Sequence, residues 1–160
     1  MNEKILEILD KNAEATAEQI AAMLGVSEDA VIHAIEEMTD NKTILSRKTI
    51  INWEKTGKES VRAVIELKVT PQREFGFDRI AERIYKYPQV RSLYLMSGAY
   101  DLLVMVEGRT LNEVAQFVSQ KLAQLDSVLS TATHFMLKTY KDEHIIFEDG
   151  EVDDRQVITL

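Results

Sequence analysis

The 160-residue chain contains no cysteine. Disulfides, thiol nucleophiles and thiolate metal sites are therefore excluded, and the composition fits a reducing cytosol. The three histidines, His33, His134 and His144, show no metal-ligand spacing, so no metal centre is expected and no cofactor is implied. No apolar run approaches the roughly 18 residues that a membrane-crossing helix requires. The opening "MNEKILEILDKN" is acidic and amphipathic, unlike a secretory leader, and a cytoplasmic location with no membrane partner is expected. A Ser/His/Asp constellation, a glycine-rich phosphate loop and a clustered ligand set are likewise missing, so no catalytic residue is named.

Excess positive charge is also lacking. The net charge is −8, which argues against a generic nucleic-acid coat. The imbalance is uneven: residues 1–60 hold 7 basic against 12 acidic residues, residues 61–141 hold 11 against 8, and residues 142–160 hold 1 against 7. Hydrophobic residues make up 45 %, enough for one typical domain or two small ones.

The first block reads as three short helices. Ile5, Leu6, Ile8 and Leu9 form an apolar stripe behind Asn2, a suitable N-cap. Thr16 and Gln19 have the spacing of a capping box for a second helix that buries Ile20 and Leu24. Gly25 suits a left-handed stop. Ser27 caps a third helix, with Glu28 and Asp29 in its first turn and Val31, Ala34, Ile35 and Met38 inward. Ala21 allows close approach, Gly25 makes the turn, and the aliphatics fill the angle, so the spacing predicts a helix-turn-helix. The following "TILSRKTIINW" is rich in Ile and Thr and reads as a strand or small hairpin, a β wing. We place this domain at 1–53 and a polar linker at 54–60.

In the second block, Val61, Ala63, Ile65, Leu67 and Val69 alternate with residues that include Arg62, Glu66 and Lys68 until Pro71. Phe77, Ile80, Ala81 and Ile84 recur at helical spacing up to Pro88. Two apolar runs, 90–96 and 100–106, flank a Ser97-Gly98-Ala99 turn. Leu111, Val114, Val118, Leu122 and Leu125 form a second helical stripe, and a last strand runs from about Val128 to Leu137. The order β-α-β-β-α-β over 61–141 predicts a ferredoxin-like sandwich, with both helices on one face of an antiparallel sheet. The whole is an α+β protein. Apolar residues on both strand faces, Leu93 and Leu95 against Tyr94 and Met96, imply a second copy on the open sheet face, hence a homodimer. The acidic tail, 142–160, carries Ile145, Ile146 and Phe147, and either adds an edge strand or is partly disordered. Arg79, Arg83 and Lys86 form a basic stripe, read as a solvated face pairing with Glu82.

A helix-turn-helix, a short β segment and a C-terminal βαββαβ domain together resemble the leucine-responsive regulatory protein family (Lrp/AsnC, the feast/famine regulators), over roughly residues 2–140. That family often carries a Gly-x-x-Asp turn between its second and third sheet strands; here it is Gly98-Ala99-Tyr100-Asp101. The resemblance implies a transcription regulator with double-stranded DNA as partner. It also implies dimerisation through the sheet domain, higher oligomers, and a small-molecule effector, often an amino acid.

The third helix of a helix-turn-helix enters the major groove. Its outward face here is Asp29, Ile32, His33, Glu36 and Asp40, with neither Arg nor Lys. Candidate DNA contacts are Ser27 and the first-turn amides on a phosphate, His33 and Glu36 on base edges, and the flanking cations Lys42, Arg47 and Lys48 on the backbone. Candidate effector contacts are Gly98, Tyr100, Asp101, Thr133 and His134. Gly98 leaves room and its amide faces a bound carboxylate, while Asp101 meets an ammonium. Asp101 also has a purely structural reading, as an acid bonding turn amides. Two other functions share the architecture: a ligand-binding or assembly protein that has lost DNA binding, and an enzyme like the sirohaem decarboxylases. The tetrapyrrole carboxylates handled by the latter would call for gathered Arg and His, whereas Arg62, Arg91 and His134 are scattered.

Overall fold

The computed structural model describes residues 1–71 and 76–147. The chain divides into two compact units, Met1–Ile51 and a second from Asn52 onward. The stretch 54–60, expected as a linker, opens the second unit.

The first unit holds three helices: α1 (Asn2–Lys11), α2 (Ala17–Leu24) and α3 (Glu28–Asp40). Asn2 does not cap α1. It is the first helical residue, Met1 takes the cap position, and no side chain accepts there. The Thr16 capping box forms in full: Gln19 N–H donates to the Thr16 hydroxyl at 3.2 Å and Thr16 N–H to Gln19 Oε1 at 3.0 Å. Gly25 ends α2 at φ 67°, a left-handed conformation that a Cβ would strain. Ser27 Oγ accepts from Ala30 N–H at 3.3 Å and starts α3. Ile5, Ile20, Val31, Ala34 and Met38 then meet in one core. Burying an Ile or Val side chain contributes about 1.5–3 kcal/mol, which is how helices of 8–13 residues stay folded here.

The expected β wing is absent: residues 45–52 carry no strand. A lone extended run needs a second strand for its backbone groups, and the other elements of this unit are helices. Leu45 is accordingly 81 % exposed.

The second unit opens with a short 3-10 turn, Trp53–Thr56, where Asn52 Oδ1 accepts from Glu54 N–H and Lys58 lies 4.2 Å from the Trp53 ring centre. Its main sheet comprises β1 (Val61–Val69), β2 (Val90–Leu95), β3 (Leu102–Gly108) and β4 (Val128–Phe135), in spatial order β2-β3-β1-β4 and antiparallel throughout. Helices α4 (Asp78–Tyr85) and α5 (Leu111–Phe117) join the sheet in one core. Ala63, Ile65, Leu67 and Val69 on β1, with Leu102, Val104 and Val106 on β3, are buried alongside Ile80, Ile84, Val114 and Phe117. On the opposite face of the sheet lie Val64, Glu66, Leu103, Met105 and Tyr94, half-buried or exposed.

The second helical stripe differs from expectation at both ends. Leu111, directly after the Thr110 cap, is 57 % exposed. From Val118 to Leu122 the helix widens into a π turn. An α-helix advances 3.6 residues per turn, so a stripe spaced by fours drifts off the face, and the wider turn keeps Val118 and Leu122 inward. Of the tail, β5 (Lys141–Asp142) pairs with β6 (Ile145–Ile146) in a small hairpin separate from the main sheet; residues 148–160 lie outside the described residues.

Candidate functional site

The reading surface is built by α3. Val31, Ala34 and Met38 turn inward, which leaves Asp29, Ile32, His33, Glu36 and Asp40 exposed on the other side. Ser27, at the helix start, spends its hydroxyl on Ala30 N–H, and Glu28 and Asp29 stand in the first turn, where N–H groups have no partner along the helix. At the far end Lys42 is left-handed, at φ 67°. Its N–H donates to Thr39 carbonyl oxygen at 3.2 Å, while Ile44 N–H reaches Met38 carbonyl oxygen at 2.8 Å and turns the chain back. Lys42 thus leaves the helix end exposed, and Arg47 and Lys48 follow on irregular, exposed chain rather than on a wing. Of the six residues expected to touch DNA, three share α3 and its cap, and three lie on the segment that leaves it.

The candidate effector residues divide differently. Gly98, Tyr100 and Asp101 share the turn between β2 and β3. Gly98 has φ 149°, open to glycine but not to other residues, and a Cβ there would meet nothing within 4 Å. Asp101 is bonded three ways. Its N–H donates to Leu67 carbonyl oxygen at 2.9 Å, its carbonyl accepts from Met96 N–H at 2.8 Å, and its Oδ2 accepts from Val69 N–H at 2.9 Å. The carboxylate between two apolar runs is therefore satisfied by the end of β1, across the sheet, rather than by amides of its own turn.

Thr133 and His134 stand apart from that turn. Thr133 lies opposite Ile65 and on its face, toward the helices; His134 lies opposite Val64, on the open face. The two cannot line one side of one site, because neighbouring strand residues point to opposite faces. His134 Nε2 is instead 3.4 Å from Glu66 Oε1. Register decided this, and composition carried no signal of it.

One concavity was not foreseen. A groove of about 300 Å³ opens between α4 and the edge strand β2, lined by Phe77, Ala81, Tyr85, Val90, Leu93 and Leu95 among others, and by none of the expected effector residues. The basic stripe beside it is solvated: Lys86 Nζ donates to Glu82 Oε1 at 2.7 Å. That hydrogen bond and charge hold the Glu82 carboxyl below the usual carboxylate range and the Lys86 ammonium above its own.

Comparison with known proteins adds the following. The family described as the Lrp/AsnC ligand binding domain matches residues 62–146, and that described as winged helix-turn-helix DNA-binding matches residues 2–44. An uncharacterized HTH-type transcriptional regulator of Bacillus subtilis, YugG, is 48 % identical over 157 residues, 98 % of this chain and 95 % of its own. The HTH-type transcriptional regulator LrpA of Pyrococcus horikoshii is 31 % identical, over 86 % of this chain and 94 % of its own. Among solved structures, a transcriptional regulator of Neisseria meningitidis in complex with L-Met shares the fold at TM-score 0.69 and 21 % identity, over 88 % of this chain and 91 % of that one.

Proposed function

The chain belongs to the Lrp/AsnC family of DNA-binding transcription regulators, and on that premise we propose how its parts divide the work. Residues 1–53 hold DNA. Ser27 and the first-turn amides of α3 take one phosphate, His33 and Glu36 meet base edges, and Lys42, Arg47 and Lys48 neutralise the backbone on the flank. The observation that carries this reading is the locally specified helix-turn-helix: a complete Thr16 box, a left-handed Gly25 and a Ser27 cap, with an exposed outer face on α3.

Residues 61–141 assemble the protein and sense a small molecule. Leu103, Met105 and Tyr94 on the open sheet face are apolar surface for a second copy. The turn Gly98–Asp101 is the effector position, with an amino acid as the ligand class. Gly98 has open space beside it, and the structure of the Neisseria relative was solved with L-Met. Thr133 and His134, on opposite faces, are dropped from that site. A regulator is favoured over an enzyme. The groups a tetrapyrrole would need are engaged elsewhere: Arg62 with Thr139 and Asp142, Arg91 with Glu107, His134 with Glu66. A cytoplasmic location goes with this function, and no described helix is long and apolar enough to cross a membrane.

The test is selection of fragments from the host's genomic DNA by the full chain. Recovery of discrete upstream sequences supports the reading, and uniform recovery of all fragments overturns it.

A further inference from the structure

A reading helix without a single cation must tell one base pair from another by other means. On α3 the exposed groups are carboxylates, one imidazole, the Thr39 hydroxyl, which donates to Ile35 carbonyl oxygen within the helix, and one aliphatic side chain, Ile32, which is 40 % exposed. A lone exposed aliphatic is ordinary on a protein surface. What distinguishes Ile32 is position. It lies in the N-terminal half of Glu28–Asp40, the part of a recognition helix that reaches base edges. Asp29 precedes it by one helical turn and Glu36 follows by one.

We propose that Ile32 is a specificity-determining residue that reads the C5-methyl group of thymine. This rests on the regulator reading above, in which α3 enters the major groove. Among base edges there, the thymine methyl is the apolar group, and an aliphatic side chain is its natural partner. The neighbours restrict the choice further. Asp29 and Glu36 can accept but not donate, so they are repelled by the O6 and N7 acceptors of guanine and satisfied by the amino groups of cytosine and adenine. Because phosphate attraction is weak at this acidic face, a dry methyl contact carries a larger share of the discrimination than it would beside arginines. Glu36 lies four residues beyond Ile32, about 6 Å along the helix, or roughly two base-pair steps of 3.4 Å. The preferred site therefore holds a methyl-bearing thymine and an amino-bearing base within about two base pairs.

The experiment starts by enriching duplexes from a randomised pool with the full-length protein. Each thymine of the best duplex is then replaced singly by deoxyuridine, which removes the methyl group and keeps the pairing. Wild type should bind about fourfold more weakly at one thymine per half-site, the effect of losing the burial of one methyl group. Ile32→Ala should bind the parent duplex more weakly and show a thymine-to-uracil ratio near one, while Glu36→Ala keeps the ratio. Ile32→Gln, a good helix former at an exposed position, should also lose the ratio and guards against a misfolded alanine variant. Thermal melts accompany each protein. A duplex in which no thymine is sensitive, or a folded Ile32 variant that discriminates as wild type does, overturns the inference and leaves the regulator reading standing. If no duplex is enriched at all, the regulator reading falls and takes the inference with it.

Discussion

Removing the Asp101 carboxylate should loosen the second unit at one identifiable amide. The Asp101 main chain already joins β1 to the β2–β3 turn through Leu67 carbonyl oxygen and Met96 N–H, and these bonds survive any side-chain change. Only the Val69 N–H to Oδ2 bond, 2.9 Å long and partly buried, depends on the acid. A hydrogen bond to a charged acceptor is worth about 1.5–3 kcal/mol and a neutral one about 0.5–1.5. Asp101→Asn, which keeps an acceptor oxygen, should therefore cost about 1 kcal/mol. Asp101→Ala leaves the Val69 N–H without its partner and should cost about 1–3 kcal/mol, toward the lower end because the site is only half-buried.

For a domain near 100 residues each kcal/mol lowers Tm by about 4–8 °C. The order of melting is then wild type, Asp101→Asn, Asp101→Ala. The single tryptophan, Trp53, lies in this unit, so its fluorescence follows that transition without the first unit. Amide exchange at Val69 should speed up in Asp101→Ala more than at Ile65, in mid-strand. If Asp101→Ala melts within about 1 °C of wild type, or Val69 exchange is unchanged, the account of the carboxylate as an anchor for β1 is wrong.

Other outcomes follow from the same geometry. Arg47→Ala with Lys48→Ala should weaken binding to all duplexes and flatten the salt slope by about two units or slightly less, near 0.9 per lost phosphate contact, in filter-binding titrations. Thr16→Ala should cost the first unit about 1 kcal/mol in urea melts, whereas Asn2→Ala, at a position that caps nothing, should cost almost none. Wild type should scatter light as a dimer or larger, and Leu103→Glu with Met105→Glu should give a folded monomer; a wild-type monomer at micromolar concentration would refute the open-face interface. Lys86→Ala should return the Glu82 carboxyl toward its ordinary value in an NMR titration with no measurable change in Tm, since the pair lies exposed on the surface.

What could be read from sequence was what is local. Thr16 with Gln19, Gly25 and Ser27 each act within four residues, and each does what its spacing implies. The strict alternation of β1 likewise carries its own burial pattern, because period two leaves no choice of face. What could not be read depends on partners distant in the chain. The bond from Val69 to Asp101 spans 32 residues and exists only in the register that sets Leu67 opposite Leu102. Thr133 and His134 are adjacent in sequence yet on opposite faces, so nominating both for one site required knowing which of them pairs with Ile65. The β wing failed for a related reason: Ile and Thr content expresses a preference for extended chain, but a ladder needs a second strand.

The acidity of the first unit bears on why assembly and DNA binding should share a chain. With 7 basic and 12 acidic residues in 1–60, one copy attracts phosphate weakly, and weak single contacts gain most from being tied together. A dimer joined through the sheet units, as proposed above, would turn the second helix-turn-helix encounter into an intramolecular one, and occupancy of DNA would then depend on how firmly the sheets are joined. A small molecule at the Gly98–Asp101 turn would act on that dependence directly. Asp101 links β1 to the turn through Val69 and Leu67, and β1 is an inner strand paired with both β3 and β4. On that reading, a ligand that competes for the carboxylate would perturb β1, which pairs with the strand carrying Leu103 and Met105 of the open face, and so would change DNA affinity without touching α3. Linkage then requires the reverse as well: whatever factor the effector applies to DNA binding, DNA applies to effector binding.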